Sequence, residues 1–278
     1  MSDSSFALLD SSLAMPVSSF ETMPQSNAQR AGSDLPVPDV WGERRKILKA
    51  HKRDFPAGAI AKAEGDGSAA TYCVLSGWLT VSKSMPDGGR QIVDVILPGE
   101  IIDPSSANGH TSSVQVEALS RATVAIVPRG VWSRLKESDA AIGRIETVNA
   151  AAALSRMSER MLRLGKGSAE SRIAYALIEL CMRLAAIDEG NDCAFHLPMT
   201  QQVLGDFVGL SSVQVCRSIR RLRGDGVISV AGRMDIVIHD IPALAEIAGA
   251  DLEKLRGEII AVSAHPGSPA PYRPDAFG

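Results

Sequence analysis

Four arginines lie close together in the last third of the chain, at Arg217, Arg220, Arg221 and Arg223, and no acidic residue separates them. A guanidinium can donate two parallel hydrogen bonds to a phosphate, or to the O6 and N7 atoms of a guanine. The whole chain carries a formal net charge of −3, which excludes a histone-like polycation. Any contact with nucleic acid must therefore be local, and this cluster is the place where we expect it.

The residues before the cluster predict two short helices joined by a tight turn. Thr200 can cap a first helix that runs to Val208, and Gly209 supplies the positive φ that ends it. Ser211, with Gln214 three residues later, has the pattern of a capping box at the start of the second helix. Apolar positions on the two helices can share a small core, and they are Val203, Phe207, Val215, Ile219 and Leu222.

After Gly226 the apolar period changes from helical to alternating. Residues 227–230 and 235–239 alternate around Ala231-Gly232-Arg233, which predicts a two-stranded wing. The capped turn and the wing together predict a winged helix-turn-helix over residues 166–241. In that geometry the N-terminal half of the second helix enters the major groove of DNA.

Arg217 is the residue that we expect to read a base, because a bidentate pair with guanine discriminates by about 1–3 kcal/mol. The full set of expected DNA-binding residues is Thr200, Gln201, Ser211, Ser212, Val213, Cys216, Arg217, Arg220 and Arg221. An alternative is that the arginines form the solvated face of an interaction helix, so that the chain acts through protein partners rather than DNA. A steep loss of affinity with ionic strength distinguishes DNA binding from this alternative.

The four cysteines, Cys73, Cys181, Cys193 and Cys216, are widely scattered. They form no C-x-x-C pair and have no histidine at metal-finger spacing, so the pattern predicts neither a disulfide scaffold nor a zinc ribbon. Cys216 stands out because the neighbouring Arg217 favours a thiolate there, and its oxidation would then block DNA contact. The alternative is that Cys216 is simply a small residue that allows close approach to the DNA backbone.

Residues 41–136 predict an antiparallel β barrel built from hairpins. Period-two segments are separated by Gly and Pro punctuation such as Pro86-Asp87-Gly88-Gly89 and Pro98-Gly99. The predicted strands are 71–75, 78–82, 91–97, 101–102, 113–118 and 122–127.

Residues 137–165 predict one long helix, with Ser138-Asp139 as its N-cap and Gly165 as its stop. Five apolar residues spaced 4, 3, 4, 3 form the seam of a coiled coil, and they are Ala150, Leu154, Met157, Met161 and Leu164. A second apolar face carries Ile142, Ile145 and Val148. We expect the seam to pair with a second copy of the chain, the alternative being an ordinary core helix packed within its own domain. Another helix is expected from Ser168, with Ile173, Leu177, Leu180 and Leu184 on one face.

The two ends of the chain carry no predicted chemistry. Residues 1–40 are rich in Ser and Pro and are expected to be a disordered tail, and residues 242–278 are an extension with a possible short helix at Pro242–Lys254. The first twenty residues contain no Lys or Arg, and no apolar run approaches the roughly 18 residues of a membrane span. A cytoplasmic, reducing compartment without membrane contact is therefore expected.

Residues from about 55 to 240 resemble the Crp/Fnr superfamily of bacterial transcription regulators, over about two thirds of the chain. The segments that carry the resemblance are Phe55-Pro56-Ala57-Gly58, Gly65-Asp66, residues 74–79, Gly88-Gly89-Arg90-Gln91, Pro98-Gly99-Glu100 and residues 200–217. The resemblance implies an α+β protein with a jelly-roll domain of cyclic-nucleotide-binding type, a long dimerisation helix and a C-terminal winged helix. It also implies a homodimer on a palindromic DNA site, with recognition helices roughly 34 Å apart, and RNA polymerase as a further partner.

The chain departs from the family members that bind cyclic AMP. Those members present a Gly-Glu pair to the ribose and an Arg to the cyclic phosphate. Gly99-Glu100 matches the pair, but no Arg or Lys lies between Ile101 and Ser120. A buried phosphate without a cation is strongly disfavoured, so we expect no cyclic nucleotide, a turn role for Glu100 and a surface loop at His110.

Base readout departs from the best-known branches as well, since they place a Glu one turn before the matching Arg. Val213 stands at that position here, and it cannot accept a hydrogen bond from a cytosine amine. We expect at most an apolar contact, with a thymine methyl group, and hence a different half-site.

No cofactor is predicted. The first cysteine, Cys73, falls in a predicted strand rather than in an N-terminal extension, so the iron–sulfur cluster of the oxygen-sensing members is unsupported. The histidines leave haem open; they are His51, His110, His196, His239 and His265. The chain has no His-x-His pair of metal-dependent cupins and no Gly-rich phosphate loop, so we expect neither a metal site nor an enzyme.

Overall fold

A computed structural model describes residues 45–67, 69–187 and 193–261. The 1–40 tail, the Asp188–Asp192 turn and the last part of the extension, residues 262–278, lie outside these ranges. The described chain divides into a β barrel, a long helix and a C-terminal helical domain, and no helix in these ranges is long and apolar enough to cross a membrane.

The barrel follows a short helix, α1 (Arg45–Ala50). Of the eight barrel strands in the described residues, the last six agree with the predicted ones, whereas the first two were not predicted. The strands are β1 (Lys52–Phe55), β2 (Ile60–Lys62), β3 (Ala70–Ser76), β4 (Leu79–Ser84), β5 (Arg90–Ile96), β6 (Ile101–Ile102), β7 (Gln115–Ala118) and β8 (Ala122–Pro128). Two four-stranded sheets in the orders β1-β8-β3-β6 and β2-β7-β4-β5 face each other, and every pairing is antiparallel. This arrangement confirms the predicted jelly roll. The inner faces are filled by apolar side chains, among them Tyr72, Val74, Leu79, Val81, Val116 and Val124.

The connection from the barrel to the long helix contains a helix that the sequence pattern missed. Helix α2 (Arg129–Ser138) is followed after a single residue by α3 (Ala140–Lys166), and the Asp139 carboxylate caps α3 by accepting a hydrogen bond from the amide of Ala141. The predicted stop at Gly165 is wrong. Helix α3 continues through Lys166 to Gly167, because Gly165 keeps helical geometry within the last turn.

The C-terminal domain is built around α4 (Ala169–Ile187), which is buried on nearly all sides. Its other elements are β9 (Ala194–His196), α5 (Gln201–Val208), α6 (Ser212–Gly224), β10 (Ile228–Ala231), β11 (Asp235–Ile238), α7 (Ile241–Ala248) and α8 (Leu252–Ile259). The wing has three strands in the order β10-β11-β9 rather than the predicted two, because β9 pairs antiparallel with the outer side of β11. Sequence alternation over three residues was too short to reveal this strand.

The described part of the extension, residues 242–261, folds as part of this domain. The predicted short helix at Pro242–Lys254 is instead two helices, α7 and α8, separated by Gly249 in the left-handed region (φ 60°). Leu244, Ala248 and Ile259 join the core that contains α4. A boundary at residue 241 therefore cuts through a shared core.

One cysteine pair also departs from expectation. Cys181, in α4, and Cys193, immediately before β9, form a disulfide with their Cα atoms 5.5 Å apart. The sequence placed them 12 residues apart without a recognisable motif, and only the return of the chain from α4 to the wing sheet brings them together. Cys73 and Cys216 are free, and burial raises the pKa of the Cys73 thiol.

Candidate nucleic-acid interface

The predicted helix-turn-helix forms with its capping hydrogen bonds in place. The Thr200 hydroxyl accepts from the amide of Val203 at 3.2 Å, and Gly209 ends α5 with φ 67°. Ser211 and Gln214 make the reciprocal hydrogen bonds of the capping box. Gly205 fixes how tightly the two helices approach, because a Cβ atom there would lie 2.4 Å from the Leu210 carbonyl oxygen. The turn is therefore rigid and presents α6 at a defined angle.

The face of α6 that points away from the domain carries the predicted readers. Among the described residues, none forms a hydrogen bond or an ion pair with the side chains of Arg217, Arg220 or Arg223. Val213, at the N-terminal end of α6, is 57% exposed. Of the other predicted contacts, the exposed residues are Thr200, Gln201, Ser211 and Arg221, and the half-buried ones are Ser212 and Cys216. The structure thus gathers the predicted DNA-binding residues on one helix and the start of its neighbour.

Arg221 differs from the other arginines in having a partner within the chain. Its Nη1 donates to Glu170 Oε1 of α4 at 2.9 Å, and the same oxygen accepts from the Ser218 hydroxyl at 3.2 Å. The hydrogen bond from its own backbone amide, together with those from Ser218 and Arg221, lowers the pKa of Glu170. The pair neutralises part of the predicted positive charge and tethers α6 to α4. Sequence reasoning missed Glu170 because it lies 51 residues before Arg221.

Arg172 links the turn to the end of the long helix, and no sequence pattern indicated this role. Its guanidinium donates to the carbonyl oxygens of Arg163 and Leu164, at the C-terminus of α3, and to that of Gly209 in the turn. A cation at a helix C-terminus also satisfies carbonyls that lack an intrahelical partner. Arg172 therefore connects the C-terminus of α3 to the turn before the recognition helix.

The wing offers one basic residue that was not assigned a role. Arg233 lies exposed between β10 and β11, next to Met234, whose φ of 83° completes the turn. At its base, Asp235 accepts a hydrogen bond at 2.8 Å from His196 of β9. Wing residues are placed to approach the phosphate backbone beside the groove that holds the recognition helix.

The predicted seam of α3 is largely uncovered within the chain. Leu154 is 63% exposed and Met161 71%, Ala150 is exposed, and Met157 is half-buried. Leu164 is half-buried because it lies against Gly209 of the turn. Of the second apolar face, Ile142 and Ile145 pack under α2, whereas Val148 is exposed.

The opposite face of α3 buries arginines rather than apolar side chains. Three acids and three arginines form a compact cluster between the barrel, α3 and α4, and they are Asp94, Glu100, Glu179, Arg156, Arg160 and Arg183. Asp94 of β5 lies 2.8 Å from both Arg156 and Arg160, and Glu179 of α4 lies 2.7 Å from Arg160. We name this set the buried charge cluster. Because the opposite charges balance, burial leaves no ion uncompensated.

Glu100 belongs to this cluster. It accepts hydrogen bonds from the amide of Leu97 and from Arg183 of α4, at 2.9 and 2.6 Å. Gly99 has a φ of 88°, so Gly99-Glu100 is a turn, as expected, and His110 is exposed. Residues 101–120 contain no Arg or Lys, but a cation from elsewhere in the chain approaches the His110 loop. Arg129 of α2 lies against Gly109 and 3.6 Å from Asp103.

The fold and the site define a class of protein: a DNA-binding regulator whose winged helix-turn-helix is joined by a long helix to a jelly-roll domain. Residues 52–139 match the cyclic nucleotide-binding domain and residues 171–247 match the Crp-like helix-turn-helix domain. The chain belongs to the Crp/Fnr family of transcription regulators, and it binds DNA through this helix-turn-helix.

Two relatives illustrate this membership. The nitrogen fixation regulation protein FixK of Bradyrhizobium diazoefficiens is 30% identical over 176 residues, which is 63% of this chain and 73% of FixK. The transcriptional activatory protein AadR of Rhodopseudomonas palustris is 31% identical over 188 residues, covering 68% of this chain and 77% of AadR. The solved structure of FixK2 from Bradyrhizobium japonicum superposes with a TM-score of 0.63 at 25% identity, over 72% of this chain and 98% of FixK2.

Proposed function

We propose that the chain acts as a homodimer on a two-fold symmetric DNA site, with α6 of each copy in the major groove and Arg217 on a guanine. The observation that supports this most strongly is that Arg217, Arg220 and Arg223 are exposed and have no side-chain partner among the described residues. They lie on a helix whose caps and turn are fixed. The exposed seam of α3 supports the two-fold arrangement, because Leu154 and Met161 have no partner among the described residues. Two copies would then hold their recognition helices about one DNA turn apart.

The dimer is tested by Met161→Glu. Burying a carboxylate in an apolar interface costs several kcal/mol, so the variant should be monomeric at concentrations where the wild type is dimeric. Sedimentation equilibrium measures the association constant directly, and Ile60→Glu is the matched control. Ile60 is also exposed, at 54%, but it lies on β2 of the barrel, away from α3. A dimeric Met161→Glu protein, or equal weakening by both variants, contradicts the proposed interface.

Val213 supplies a prediction about the half-site. As an exposed apolar side chain near the N-terminus of α6, it can contact a thymine methyl group but cannot accept a hydrogen bond. Val213→Glu should favour cytosine at the contacted position, because the new carboxylate accepts from the N4 amine. Selection of sites from random DNA should show this single-position change while the guanine read by Arg217 is retained. An unchanged consensus would place Val213 away from the bases.

We further propose that the chain is controlled by something other than a cyclic nucleotide, that it works in the cytoplasm without catalysis, and that it contacts RNA polymerase. The engagement of Glu100 by Arg183 supports the first point, because this carboxylate faces α4 rather than a ligand. The names of the relatives support the contact with polymerase, since FnrL of Cereibacter sphaeroides and AadR are described as transcriptional activators.

A further inference from the structure

The disulfide between Cys181 and Cys193 joins two consecutive elements of the DNA-binding domain, helix α4 and the wing strand β9. Cys181 is buried in α4, and Cys193 is half-buried at the start of the wing sheet. The Cys193 carbonyl accepts a hydrogen bond from the amide of Ile238 in β11, at 2.9 Å, so this residue is held to the wing by its backbone as well. The bond therefore fixes the distance between α4 and the wing.

Helix α4 is also the element to which the recognition helix is tethered. Glu170 of α4 accepts from Ser218 and Arg221 of α6, while Arg172 of α4 donates to Gly209 in the turn. The Cys181–Cys193 bond adds a covalent link between α4 and the wing, which also follows α6 directly in the chain. With the bond present, both DNA-contacting elements are held to α4.

A disulfide in a protein of a reducing compartment is unusual and points to a redox function. Proteins of the cytoplasm are kept reduced, and disulfides that do form there usually sense oxidants or act in catalysis. We propose that Cys181 and Cys193 form a reversible thiol–disulfide site through which oxidants adjust the DNA affinity of this regulator. The proposal rests on the proposed cytoplasmic location and on DNA binding by α6.

The chemistry balances with hydrogen peroxide as oxidant. The Cys193 thiolate, on the more exposed residue, attacks one peroxide oxygen, forms a sulfenic acid and releases water after protonation. The Cys181 sulfur then attacks the sulfenic sulfur, the S–S bond forms and a second water leaves. In reverse, the thiolate of a small dithiol attacks the Cys193 sulfur and expels the Cys181 thiolate, and the second thiol of the reductant resolves the mixed disulfide.

The oxidised protein should bind DNA more tightly than the reduced protein. A wing already fixed relative to the recognition helix loses less conformational freedom on binding, and preorganisation of this kind raises affinity. We expect reduction to weaken specific binding on the order of five- to tenfold. The domain should stay folded, because the core around α4 contains many other buried side chains, among them Leu177, Phe207 and Leu222.

The test uses the full chain and a DNA site obtained by selection, with affinity measured by fluorescence anisotropy after peroxide and again after dithiothreitol. Non-reducing peptide mapping of the same samples reports the Cys181–Cys193 linkage. The wild type and Cys216→Ser should both gain affinity with peroxide and lose it with dithiothreitol. The double variant Cys181→Ala, Cys193→Ser should keep the lower affinity in both conditions.

Three results overturn the redox site: no linkage in the map after peroxide, equal wild-type affinity in both states, or a redox response abolished by Cys216→Ser. The wild-type comparison needs no substitution, so the test stands even if the double variant is unstable. A wild-type protein that binds no selected DNA in either state contradicts DNA binding itself, and the peptide map separates that failure from the absence of the disulfide.

Discussion

Arg217→Ala is expected to weaken binding to the specific DNA site by about 2–6 kcal/mol, which is a factor of about 30 to 2 × 10⁴. Each bidentate contact between an arginine and a guanine contributes about 1–3 kcal/mol, and a two-fold dimer loses it in both half-sites. Binding to random DNA should weaken much less, because phosphate contacts from the other basic residues remain. Competition between specific and random duplexes at fixed salt measures the ratio.

Arg221→Ala is the matched control within the same helix. Its guanidinium is engaged by Glu170, so its removal should loosen α6 slightly and reduce affinity for specific and random DNA to a similar, smaller extent. The comparison separates a base-reading arginine from one that only adds charge. Equal losses of specificity in the two variants would contradict the assignment of the guanine contact to Arg217.

The second large effect is expected at the centre of the buried charge cluster. Asp94→Asn keeps the shape of the side chain but leaves only Glu100 and Glu179 to balance three buried arginines, so the free energy of unfolding should fall by about 3–5 kcal/mol. Chemical denaturation measures the free energy of unfolding. Asp54→Asn is the control, because Asp54 pairs with Lys52 at an exposed site, and it should remain close to the wild type.

The ionisation of Asp94 also determines how the stability of the fold changes with pH. Burial alone would raise the pKa of Asp94, but the charges of Arg156, Arg160 and Arg183 hold it well below its usual range. A carboxylate whose pKa is depressed in the folded state stabilises the fold above its unfolded pKa of about 3.9, and this contribution disappears as the pH falls below that value. The wild type should therefore lose stability in acid more steeply than Asp94→Asn. Parallel acid limbs for the two proteins would contradict the role of the cluster.

The helix-turn-helix followed from sequence because its signals are local. Thr200, Gly209 and the Ser211–Gln214 capping box act through hydrogen bonds and a positive φ within a few residues, and all of them form as expected. Six of the barrel strands followed for the same reason, since alternation and Gly punctuation mark each of them separately, but β1 and β2 were not predicted. The winged helix followed from the residues as well, whereas the jelly-roll arrangement of the strands came from the family resemblance.

The features that escaped prediction depend on contacts that are distant in the chain. Arg156 and Arg160 have helical spacing, but arginines in such a pattern normally indicate a solvated face, and Asp94 and Glu179 from other elements make their burial possible. The pairing of Arg221 with Glu170, and of Cys181 with Cys193, likewise could not be predicted without the fold. These long-range contacts are the ones that set the positions of the recognition helix and the wing.

Methylation interference tests directly whether α6 lies in the major groove with Arg217 on a guanine. Dimethyl sulfate methylates the N7 atom of guanine, the same major-groove acceptor that a bidentate arginine uses. Methylation of one guanine in each half-site should block binding of the wild type, and the two guanines should be related by two-fold symmetry. Binding of Arg217→Ala should be insensitive to methylation of either guanine. If methylated guanines bind as well as unmodified ones, or if Arg217→Ala keeps the wild-type pattern, the recognition helix does not read DNA in this way.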